Sequence, residues 1–149
     1  MEVLKSLLLL WCFQELIQCY GDNRYCADQV EALRVKAGDT VTIPCRISYP
    51  KDWDEHTTVS VSWRETNSTP CGNARFIYNH TDKWTDDKYK GRLSIVGNWN
   101  QHKEASLIIQ ELKTTDGPRF CCRVEIKNKE REQRWQNSHT TLLRFQGDY

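Results

Sequence analysis

A chain of 149 residues, 38% hydrophobic and 28% charged, has the length and composition of one globular domain. Its formal net charge is +1, with Lys and Arg interspersed among Asp and Glu, which leaves no clustered basic face for nucleic acid or an anionic membrane. Seven Cys and six Trp are high counts, and they bear on compartment and on binding surface.

The first element is an apolar run, Ser6-Leu7-Leu8-Leu9-Leu10-Trp11-Cys12-Phe13, behind the charge of Lys5. Cys19 and Gly21 sit as small residues three and one before a cut at Asp22, the pattern of a secretory signal peptide over residues 1–21. The run is shorter than the roughly 20 apolar residues a bilayer span needs. The folded domain is therefore expected over 22–146, with 147–149 a short tail and no membrane insertion by this chain. An extracellular location follows, as a secreted protein or as the ectodomain of a type I membrane receptor in a longer form. In that oxidising compartment Cys26, Cys45, Cys71, Cys121 and Cys122 are candidates for disulfides. Asn67-Ser68-Thr69 and Asn79-His80-Thr81 are N-glycosylation sequons in polar stretches, at Asn67 and Asn79.

From Asp22 onward the chain alternates as strands do. Val41, Ile43, Cys45 and Ile47 share one face, as do Val59, Val61 and Trp63. Leu93-Ser94-Ile95, Ser106-Leu107-Ile108-Ile109, Phe120 to Ile126 and Thr141 to Phe145 follow, with polar turns between them. Many short strands at this spacing predict an antiparallel sandwich or barrel. Cys45, Trp63 and Cys122 decide between the two. An inward Cys on an early strand, a Trp on the next core strand and a second Cys on the penultimate strand form the inter-sheet pin of immunoglobulin domains. The expected fold is an all-β immunoglobulin V-type sandwich of two antiparallel sheets with an inter-sheet disulfide, Cys45–Cys122.

Other positions agree. Arg92 and Asp116 are placed to pair across the bottom of the sandwich, and the stretch between Trp63 and Arg92 has room for an extra hairpin. Phe120 stands two residues before Cys122, where a corner tyrosine is usual, so that hydroxyl is missing. Cys122 faces inward, so Cys121 faces outward, near the turn that holds Cys71. A second disulfide, Cys71–Cys121, is expected; the alternative leaves Cys71 free on a mobile turn. Cys26 is then left over, free or available for an intermolecular disulfide.

Catalysis has little to stand on, and an enzyme is not expected. The four His lie at no metal-ligand spacing, so neither a metal nor a cofactor is predicted. There is no phosphate loop and no nucleophile motif. The outer face of the sheet carrying Cys122 is more informative. Parity puts Arg123 and Glu125 outward, and a guanidinium held mid-strand is suited to fork onto a carboxylate. Trp135 and Gln136 begin the next strand at the upper end, and Tyr25 begins the first strand at the same end. A cation, two rings and an amide suit an acidic sugar. Equally, Arg123 pairs with a surface acid such as Glu125 and Trp135 packs on the sheet edge.

The segments Tyr25-Cys26-Ala27-Asp28-Gln29, Val41-Thr42-Ile43-Pro44, Ser48-Tyr49-Pro50, Val61-Ser62-Trp63-Arg64, Gly91-Arg92-Leu93, Asn98-Trp99, Cys122 to Ile126 and Trp135-Gln136-Asn137 resemble the paired immunoglobulin-like type 2 receptors in order and spacing. The resemblance implies a siglec-like immune receptor for sialylated O-glycans on the glycoproteins of other cells. The family's carboxylate-binding arginine falls on Arg123, its Trp and Gln on Trp135 and Gln136, and its N-terminal tyrosine on Tyr25. Cys26, Cys45, Cys71 and Cys121 depart from the family's pattern. The competing functions are a V-type domain that binds a protein counter-receptor without glycan, and a secreted decoy.

Overall fold

The computed structural model describes residues 25–97, 103–137 and 139–147. The predicted signal peptide (1–21) and the Asn98-Trp99 segment lie outside the described residues.

A prolyl nitrogen has no hydrogen to give to a ladder, and Pro44 accordingly divides one predicted strand into Val41–Ile43 (β3) and Cys45–Ser48 (β4). The first strand divides as well. Cys26–Gln29 (β1) pairs with β4 in the back layer, and Ala32–Val35 (β2) crosses to the front. The back layer is completed by Leu93–Val96 (β8) and Ser106–Ile109 (β9), in the order β3-β9-β8. The front sheet runs β2, Thr141–Phe145 (β12), Arg119–Lys127 (β10), Thr58–Thr66 (β5), Arg75–Asn79 (β6) and Trp84–Thr85 (β7). Glu132–Gln136 (β11) pairs with the upper half of β10. The ladders are antiparallel except one, β2 lying parallel to β12 along the edge of the expected V-type sandwich.

Between the layers the predicted pin is in place. Cys45 and Cys122 are bridged with their Cα atoms 6.4 Å apart, and Trp63 is fully buried with Nε1 donating to the Ala105 carbonyl at 3.2 Å. Ile43, Ile47, Leu107 and Ile109 from the back meet Val61, Phe120, Val124 and Ile126 from the front.

Two gaps in this frame are filled by side chains. β12 covers β10 only at Arg119 and Phe120, and β11 covers it only from Arg123 onward. Backbone groups in the interval need partners, because a buried unpaired amide or carbonyl is costly. Gln29 supplies them: Nε2 donates to the Phe120 carbonyl at 3.0 Å, and Oε1 accepts from the Cys122 amide at 2.8 Å. The second gap is the corner hydroxyl absent at Phe120. Tyr89 provides one from the 3-10 turn Asp87–Tyr89, accepting from the Gly117 amide at 3.0 Å and donating to the Glu65 carboxylate. Burial, and then Glu65, raise the Tyr89 phenol well above its usual range.

Beside it Arg92 forks onto Asp116, at 2.8 Å and 2.9 Å, with the Asp116 side chain wholly buried. Removing one member of a buried pair strands the other. Asp116→Ala is expected to lower unfolding free energy by about 3–5 kcal/mol, and Tyr89→Phe by about 1–3 kcal/mol. Both are read from urea unfolding midpoints at unchanged m-value.

Candidate functional site

The outer face of the front sheet is set by β10. Phe120, Cys122, Val124 and Ile126 are buried inward, which turns Cys121, Arg123 and Glu125 outward. Across the ladder Ser62 faces Arg123 and Arg64 faces Cys121. On the far side of β5 a bulge between Trp63 and Arg64 breaks the register with β6. It leaves Ile77 and Tyr78 both buried, and puts Phe76 opposite Arg64 and Asn79 opposite Ser62. Trp84 is the cross-strand partner of Asn79. The result is a groove of about 460 Å³ whose walls include Ser62, Phe76, Asn79, Trp84, Arg123 and Glu125.

The Arg123 side chain lies in this groove without a hydrogen bond or ion pair among the described residues; its guanidinium carbon is 5.7 Å from the Phe76 ring centroid. The alternative pairing with Glu125 is therefore not formed. Arg64 lies 4.0 Å from the same centroid. It is 7% exposed, donates from Nη1 to the Gly72 carbonyl at 2.6 Å, and keeps a buried Nε with no partner. Burial first, and the neighbouring Arg123 second, lower the Arg64 pKa. Two like charges so placed repel, and an anion between them would relieve both.

The turn after β5 is tied down here. Cys71 and Cys121 are bridged with Cα atoms 6.0 Å apart, and both are buried although Cys121 points outward. The bridge holds Gly72 where its carbonyl accepts from Arg64 and from Gln136 Nε2, the latter at 3.1 Å. Closing this 50-residue separation stabilises by about 4 kcal/mol in the chain-entropy model. Cys26 is not the leftover thiol expected of it. It too is disulfide-bonded, outside these two bridges, so no bond to a second chain is shown.

The four predicted binding residues divide into two pairs. Gln136 is directly opposite Arg123 and shares its face. Trp135 is opposite Val124, so it faces the core side of the sheet. There its ring lies 5.0 Å from Tyr25 and 6.4 Å from Tyr49, and the Tyr25 hydroxyl accepts from Trp53 Nε1 at 3.0 Å. Arg131 stacks 3.9 Å over Trp53 from outside. The expected convergence of Tyr25 and Trp135 on Arg123 is thus corrected: the two rings pack with each other at the upper end of the core. Phe76 is the ring beside Arg123 and Trp84 lines the far side of the same groove; sequence alternation missed Phe76 because the bulge resets the parity of β6. Arg64 was within reach of the sequence, one residue after the inward Trp63.

A family profile of the immunoglobulin V-set domain matches residues 28–144. The chain is similar to paired immunoglobulin-like type 2 receptor alpha of Mus musculus, 28% identical over 122 residues, covering 81% of this chain and 38% of that protein. It is also similar to the beta receptor of the same pair in Mus musculus, at 25% over 81% of this chain and 52% of that one. Sialic acid-binding Ig-like lectin 10 of Homo sapiens is 26% identical over 70% of this chain and 15% of its own length. The chain thus spans about half or less of these curated relatives. Among solved structures, murine CRIg superposes with a TM-score of 0.63 at 17% identity, over 83% of this chain and 99% of that one, a likeness of fold.

If Trp135 is a packing residue and Phe76 a groove residue, the two separate in stability. Trp135→Ala is expected to cost about 3 kcal/mol, as for a large aromatic lost from a core. Phe76→Ala is expected to stay within about 0.5 kcal/mol of the parent protein. Thermal and urea unfolding of the two variants check this.

Proposed function

We propose a function from one established premise: the chain belongs to the immunoglobulin V-set family. On that premise it is the ligand-binding domain of an extracellular immune-type receptor, and its ligand is a sialylated, O-glycosylated protein held through Arg123. The observation that carries this reading is the Arg123 guanidinium, rigidly placed on a strand, open to the groove and unpaired among the described residues. A planar guanidinium donates two parallel hydrogen bonds to a carboxylate, and sialic acid presents one. The repelling neighbour Arg64 makes an anion more welcome still. Sialic acid-binding Ig-like lectin 10, a relative by sequence, carries that ligand in its name.

Gln136, opposite Arg123, has Nε2 given to the Gly72 carbonyl and keeps Oε1 unbonded, an acceptor for a sugar's hydroxyl or amide hydrogen. Trp135 and Tyr25 contribute by holding β11, and so Gln136, against the core edge. The Cys45–Cys122 and Cys71–Cys121 bridges suit an oxidising, extracellular compartment. N-glycans at Asn67 and Asn79 belong to the same reading, and a secreted form would act as a decoy for the same ligand.

Binding of the purified domain to cells is expected to disappear after sialidase treatment of those cells. Binding that survives unchanged points to a protein counter-receptor read without sugar. Arg123→Ala is expected to lose about 2–5 kcal/mol of binding free energy, as for truncating one partner of a charge-assisted contact, with an unchanged unfolding midpoint. Arg123→Lys keeps the charge but not the fork, and is expected to recover only part of the affinity in surface plasmon resonance.

A further inference from the structure

We propose that Asn79 carries an N-glycan whose first N-acetylglucosamine lies on Phe76 and Trp84, and that this glycan covers the approach to Arg123. The importance given to Arg123 rests on the ligand reading above; the glycan's position does not.

Four large hydrophobic residues are exposed among those described, and two of them, Phe76 at 39% and Trp84 at 46%, border the one groove. Exposed rings gathered in one place ask for a cover. The sequon supplies one. Asn79 shares their face: it is the cross-strand partner of Trp84, and directly paired side chains lie about 5 Å apart at Cβ. Its Oδ1 accepts from the Asp82 amide at 3.0 Å, which fixes the side chain. Its Nδ2 makes no hydrogen bond among the described residues. The atom that would bear the sugar is therefore free, and substitution there breaks nothing. Flat rings take the C–H faces of a sugar, so an N-acetylglucosamine leaving Nδ2 finds an apolar floor on either side.

The geometry also puts that sugar in the way. Asn79 pairs with Ser62, and Ser62 pairs with Arg123. Asn79 and Arg123 are thus two strand spacings apart, roughly 10 Å, a gap that the first sugars of a glycan bridge. Attachment itself precedes folding. The Asn79 amide nitrogen displaces a polyisoprenoid diphosphate from C1 of its oligosaccharide, forming the C1–N bond as the C1–O bond breaks. The amide proton goes to a general base and the diphosphate leaves.

The test uses the full chain expressed in cells that N-glycosylate, beside Asn79→Gln, Thr81→Ala and Asn67→Gln. Thr81→Ala keeps the Asn79 turn while destroying the sequon, so a folding fault in one variant does not decide the result. Peptide mass gives occupancy at Asn79. The rate at which phenylglyoxal modifies Arg123 in the folded protein gives access to the groove with no ligand present. Arg123 is expected to react several-fold faster in Asn79→Gln and Thr81→Ala than in the parent, and at the parent rate in Asn67→Gln. Trp84→Ala, with its glycan still attached, is expected to fall between. An unoccupied Asn79, or equal rates with and without its glycan, overturns the proposal. Binding of a sialylated mucin is scored separately. Faster Arg123 modification with no binding by any form upholds the cover and sinks the sialoglycoprotein reading; the converse pattern does the opposite.

Discussion

The Cys45–Cys122 bridge, with Trp63 packed beside it, is the constraint from which the rest of the molecule follows. It pins β4 of the back layer to β10 of the front. Once Cys122 must face inward, the pleat of β10 has no choice left: Val124 and Ile126 enter the core while Cys121, Arg123 and Glu125 leave it. The outward cation is a by-product of an inward sulfur. The nine-residue ladder between β5 and β10 then carries the same parity across the sheet, turning Ser62 and Arg64 toward Arg123.

A frame pinned at its centre still has to satisfy its ends, and the chain does so with single side chains. Gln29 closes the gap on β10 where β11 and β12 part. Tyr89 returns to the lower corner the hydroxyl that Phe120 lacks. Arg92 and Asp116 neutralise each other under the same corner, the hydrogen bonds that Arg92 donates to Asp116 raising the Arg92 pKa. Each answers the same rule, that polar groups taken from water need partners.

The outer face follows a different logic. The Arg123 guanidinium has no hydrogen-bond or ion-pair partner among the described residues, Arg64 keeps an unbonded Nε, and Phe76 and Trp84 stay exposed. A domain that satisfies its lower end so fully leaves Arg123, Phe76 and Trp84 together in one groove, with Arg64 against the Phe76 ring. The Cys71–Cys121 bridge holds the turn after β5, and Arg123 stands mid-strand, so a ligand meets a side chain whose backbone is already ordered. That combination of unspent interaction and rigidity is what a binding site requires.

Most of the frame was legible in the sequence. Cys45, Trp63 and Cys122 announce the sandwich, and strand alternation from Cys122 fixes the side of Arg123, because parity within an uninterrupted strand is a local property. Two features of the site were not local. The bulge in β6 brings Phe76 and Asn79 to one face although they are an odd number of residues apart, and only the pairing with β5 reveals it. The side taken by Trp135 depends on the turn before it, where the Asn128 amide donates to the Arg131 carbonyl and so sets Trp135 opposite Val124 and Gln136 opposite Arg123. A slip of one residue in that turn would exchange the two. The sequence by itself determined that an immunoglobulin sheet offers an arginine on its outer face. Which rings share a groove with that arginine was decided by register, a relation between strands that neither strand encodes alone.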